Sequence, residues 1–79
     1  MNIRQMQTLF DQLQREAGER GAVIEARLDG DPDGITCRIS LLDRPDSYIY
    51  MFLMDGLSDE YYVTMLIRRV NEITEQVAA

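Results

Sequence analysis

Residues 22 to 41 read Ala22-Val23-Ile24-Glu25-Ala26-Arg27-Leu28-Asp29-Gly30-Asp31-Pro32-Asp33-Gly34-Ile35-Thr36-Cys37-Arg38-Ile39-Ser40-Leu41. Ala22, Ile24, Ala26 and Leu28 alternate with Val23, Glu25 and Arg27, while Ile35, Cys37, Ile39 and Leu41 alternate with Thr36, Arg38 and Ser40. Successive side chains of a strand point to opposite faces, so this period of two predicts two strands, each with one face buried. The stretch between them, Asp29 to Gly34, is dense in turn formers and predicts a hairpin with a longer loop.

Towards the N-terminus, Ile3, Met6, Phe10, Leu13 and Ala17 recur at spacings of three and four among polar residues. That periodicity predicts an amphipathic helix over about residues 2 to 17, which Gly18 or Gly21 ends by taking the left-handed conformation. Towards the C-terminus, Asp43-Arg44-Pro45-Asp46 reads as a turn leading into a third strand, Ser47 to Met54. This strand carries Tyr48, Tyr50, Phe52 and Met54 on one face and Ile49, Met51 and Leu53 on the other. Both faces are apolar or aromatic, so the strand is expected either to be central or to meet something else on its second face. Ser58 is placed to cap a second helix, with Asp59 and Glu60 in its first turn and Leu57 and Tyr62 spaced as a hydrophobic staple. Val63, Leu66, Val70, Ile73 and Val77 mark its buried stripe as far as about residue 76. The order helix, strand, strand, strand, helix predicts one α+β domain over residues 1–79. We expect two layers, with a three-stranded antiparallel sheet and both helices packed on one face.

The net charge of −6 comes from the middle of the chain. Residues 28 to 60 set Arg38 and Arg44 against Asp29, Asp31, Asp33, Asp43, Asp46, Asp55, Asp59 and Glu60, whereas the segments on either side are balanced. In an antiparallel meander alternate connections share an end of the sheet. Residues 29 to 34 and 55 to 60 are therefore expected to pool Asp29, Asp31, Asp33, Asp55, Asp59 and Glu60 at one pole. Arg20 and Arg44 would lie at the other. Clustered charge of one sign focuses a field that steers partners.

Composition excludes several functions. The 79 residues include no histidine, so Ser-His and Cys-His pairs are ruled out, and no phosphate-cradling or dinucleotide glycine pattern is present. Loop aspartates lack the apolar pocket that would tune one of them for acid or base work, so no enzyme, catalytic residue or cofactor is expected. Direct nucleic-acid binding is disfavoured, because it rests on basic side chains neutralising phosphates. No stretch approaches the length of a membrane span, and the N-terminus lacks the pattern of a secretory signal. Cys37, the single cysteine, falls on an apolar strand position, in keeping with a reducing, cytoplasmic setting.

Asp29-Gly30-Asp31-Pro32-Asp33-Gly34 resembles the opening of an EF-hand calcium loop. The resemblance implies Asp29, Asp31 and Asp33 as ligands, Gly34 as the sharp turn and Ile35 as a backbone ligand. It stops there, since Ser40 stands where the bidentate glutamate belongs and the flanks read as strands. Calcium binding is therefore the third reading, and no metal ligand is assigned. In size, acidity and helix-sheet-helix outline the chain also looks similar to some phage-encoded inhibitors of nucleic-acid-binding machinery, including certain anti-CRISPR proteins. The leading expectation is a non-catalytic protein-binding module that regulates or inhibits a partner with a basic surface. Its candidate contacts are Asp29, Asp31, Asp33, Asp55, Asp59 and Glu60, with Tyr48, Tyr50 and Phe52 adding apolar contact. The alternative is an assembly role, with the third strand pairing two copies as a homodimer.

Overall fold

The computed structural model describes residues 3–27, 34–54 and 56–78. The elements are α1 (Ile3–Glu19), β1 (Ala22–Arg27), β2 (Gly34–Leu41), β3 (Arg44–Met54) and α2 (Asp59–Ala78). The strands form an antiparallel sheet in the order β1-β2-β3, as the alternating patterns predict. This is the expected α+β fold.

Across the sheet Ile24 pairs with Ile39 and Ile39 with Ile49, while Ala26 pairs with Cys37 and Cys37 with Met51. Directly opposed residues share a face, so these rows form one apolar layer. Ile24, Cys37, Ile39, Met51 and Leu53 are buried there in one cluster with Leu9, Leu13 and Ala17 of α1 and Tyr62, Leu66, Val70 and Ile73 of α2. The core thus draws on both helices and on that face of all three strands.

Several local expectations need correction. Leu9, fully buried, is the N-terminal end of α1's core stripe, whereas Met6 and Phe10, placed on the stripe by spacing, sit at its margin. Positions 9, 13 and 17 stack one turn apart, and packing against β1 and α2 rotates that row inward. Gly18 lies within α1, and Gly21, with φ of 71°, is the left-handed residue that ends it. The turn after β2 is only Leu42 and Asp43. β3 begins at Arg44, but the register passes from Ser40–Tyr48 to Leu41–Arg44, so residues 45 to 47 bulge out of the ladder. Of the residues read as a turn, Asp43 lies in it, Arg44 pairs with Leu41, and Pro45 and Asp46 belong to the bulge. Of the two alternatives for β3, the central position is excluded, since it is an edge strand.

Ser58 caps α2 as predicted, its Oγ accepting the Tyr61 N–H at 3.2 Å. Tyr62, expected only as a staple partner of Leu57, is fully buried, while Leu57 stays exposed. Burial raises the Cys37 thiol from an ordinary 9.0 to about 11. Below pH 9 both folded and unfolded thiols are protonated. Above it the unfolded chain loses the proton first, so stability should fall between pH 9 and 11. Native protein at pH 8 should accordingly resist thiol-specific labelling until urea unfolds it. Prompt labelling of folded protein would contradict the burial.

Candidate protein-binding face

The face of the sheet opposite that core bears the alternate set of strand residues. Its rows are Val23–Ser40–Tyr48, Glu25–Arg38–Tyr50 and Arg27–Thr36–Phe52, closed by Gly34–Met54. Tyr48 is 47% exposed, Tyr50 43% and Met54 42%, whereas Phe52 is half-buried. The three expected aromatic contacts therefore share one face of β3, and Met54 extends the row.

This face has internal order. The Arg38 guanidinium lies 4.4 Å from the centre of the Tyr48 ring, and its Nη2 donates to the Pro45 carbonyl at 2.8 Å. The register puts Arg38 and Tyr48 on the same face, and a cation over the ring is attracted by its negative π-face. Tyr48 and Tyr50 meet edge to face with ring centres 5.6 Å apart. Ser40, the register partner of Tyr48, is 94% buried, so the face is not uniformly wet. Arg38→Ala should free the Tyr48 ring and cost about 0.5–1.5 kcal/mol of stability. Urea unfolding followed by tyrosine fluorescence measures both effects.

Of the acidic residues proposed for the pole, Asp29, Asp31, Asp33 and Asp55 lie outside the described residues. Asp59 and Glu60 are exposed in the first turn of α2, where carboxylates complement the helix's positive end. The flanks of the outlying residues are described: β1 ends at Arg27 where β2 begins at Gly34, and Gly34 pairs with Met54, the last residue of β3. The end of β1, the start of β2 and the end of β3 therefore share one end of the sheet. The opposite end holds the Leu42–Asp43 turn, where the Leu42 N–H donates to the Gly21 carbonyl at 2.9 Å.

Gly34 and Ile35, the last positions of the calcium-loop resemblance, belong to β2. Gly34 and Ile35 pair with Met54 and Leu53, so Gly34 is a ladder residue and not a turn residue. Among the described residues no helix is long and apolar enough to cross a membrane. Comparison with protein-family models, with curated proteins and with solved structures finds no match to this chain.

Sequence reasoning missed two participants. Met54 was recognised only as apolar, and Tyr62 only as a staple. Tyr62 Oη donates to the Met54 carbonyl at 2.5 Å and accepts the Met54 N–H at 2.7 Å. A tyrosine at the start of a helix gives no sequence signal for such a bond, because its partner is set by how α2 packs beside β3.

Proposed function

We propose that the chain is a non-catalytic module that binds another protein, engaging a basic surface on that partner and so regulating or inhibiting it. The observation that supports this reading best is the exposed row Tyr48, Tyr50 and Met54 on one face of β3, which runs to the end of the sheet where the strand termini adjoin the acidic segments in sequence. Aromatic and methionine side chains anchor interfaces, and a rim of one charge sign speeds and orients encounter with the opposite sign. The buried, unpaired Cys37 suits a reducing, cytoplasmic setting. A second reading, a homodimer through β3, draws on that strand's edge position.

Two variants test the first reading. One changes Asp29, Asp31, Asp33, Asp55 and Asp59 to Asn, and the other changes Tyr48 and Tyr50 to Ser. Each should weaken the Kd for a partner captured by the unaltered protein by about tenfold or more. The carboxylate effect should shrink at high salt, since screening removes it. A captured set that neither variant changes refutes the reading. Sizing the free protein across a range of concentrations tests the homodimer.

A further inference from the structure

We propose that the partner is received as an added strand, in which an extended segment carrying Arg or Lys at alternate positions pairs with the outer edge of β3 between Tyr48 and Phe52. This rests on the protein-binding reading and specifies its partner and geometry. The direction of the β3 backbone supports it. In an antiparallel strand each residue turns both its N–H and its C=O to one neighbour, and the next residue turns them to the other. Both groups of Met54 meet the Tyr62 hydroxyl, so Met54 faces away from β2. An independent bond at the other end of the sheet gives the same parity. Leu42 bonds Gly21, which turns Ser40 towards β1 and its partner Tyr48 outward. Tyr48 and Phe52 therefore direct their backbone groups to the outer edge while their rings lie on the open face. An added strand meets the ladder and the aromatic row together.

The edge is bounded on both sides. Tyr62 occupies Met54 at one end, and at the other the bulge with Pro45 interrupts the ladder. Natural sheets blunt edges in these ways, and here the devices leave the stretch between them regular. Charge selects the occupant. Asp46 is exposed in the bulge, and the first turn of α2, tied to Met54 through Tyr62, presents Asp59 and Glu60 at the far end. A second copy paired antiparallel would bring the bulge end of each strand, with Asp46, to the end of the other that adjoins Asp59 and Glu60, and so bring like charges together. A basic segment finds carboxylates at both ends.

The test uses the full chain and a short blocked peptide of alternating arginine and valine. Controls are a glutamate-valine peptide and two arginine-valine peptides N-methylated on one or the other alternate set. Hydrogen exchange of the Tyr48 and Phe52 amides is followed by NMR. The arginine-valine peptide should slow both by about tenfold or more, one N-methylated peptide should lose the effect, and the glutamate peptide should show none. Binding that shifts the aromatic ring signals yet leaves these amides unprotected overturns strand addition while the protein-binding reading stands. Protection without peptide, growing with protein concentration, assigns the edge to a second copy and overturns the basic-segment proposal. Equal binding by both N-methylated peptides, or none by the parent, also overturns it.

Discussion

Tyr62→Ala should lower stability by about 3–5 kcal/mol, enough to unfold much of a domain this small. The side chain is fully buried among Leu9, Leu13 and Leu66 in one cluster, and its ring also meets Tyr61 edge to face at 5.4 Å. Truncation removes the burial and leaves a cavity that a thin core cannot close by collapse. The conservative variant separates packing from hydrogen bonding. Tyr62→Phe keeps the ring but leaves the Met54 N–H and carbonyl without their shared hydroxyl, which costs about 1–3 kcal/mol when such groups are sealed from water. Met54 is 42% exposed, so water can replace part of that bond, and the loss should fall at the low end, near 1 kcal/mol. For a domain of this size each kilocalorie moves Tm by about 4–8 °C, so the two variants are readily told apart by thermal melting. A Tyr62→Phe protein as stable as the original would show that the hydroxyl contributes nothing. An equally stable Tyr62→Ala protein would place the residue outside the core altogether.

The contrast between Tyr62 and its neighbours shows what the sequence could reveal. Element type was legible because β1, β2 and both helices each keep a strict period, and the sheet order follows from short connections between reversing strands. The two faces of β3 were legible too. So was the stripe of α2, since Leu66, Val70 and Ile73 are buried, but the rotation of α1 was not. Leu9 and Phe10 are adjacent and both apolar, and only the angle at which α1 meets β1 and α2 decides that Leu9 is sealed while Phe10 sits at the border. The same reason hides the Tyr62–Met54 bond. The two apolar faces of β3 likewise fitted a central strand as well as an edge strand, because composition reports burial and not which neighbour supplies it. The acidic pole was read from the meander rule alone. The shared end of Arg27, Gly34 and Met54 supports that rule at the strand termini.

Gly34→Ala should destabilise the protein by about 1–3 kcal/mol, for a reason unrelated to backbone angle. Glycines at 21 and 56 have positive φ, but Gly34 does not, so alanine could adopt its backbone and would ordinarily stabilise by restricting the unfolded chain. Space decides otherwise. A Cβ at Gly34 would press on the Leu53 carbonyl oxygen and come within 2.8 Å of Phe52 Cζ. The ring could swing aside, but the carbonyl belongs to the ladder that joins β2 to β3, so the strands themselves would have to part. Gly18→Ala supplies the internal control: it lies in α1 with nothing within 4 Å of a new Cβ, and should stabilise by about 0.5–1 kcal/mol. Urea midpoints should therefore move in opposite directions for the two substitutions. If Gly34→Ala also stabilises, the close approach of β2 and β3 at this end is wrong, and with it the support Phe52 receives from the glycine beneath. Phe52 belongs to the proposed docking row, so the same substitution should weaken partner binding beyond its effect on folding. Binding measured well below the melting temperature of the variant isolates that part.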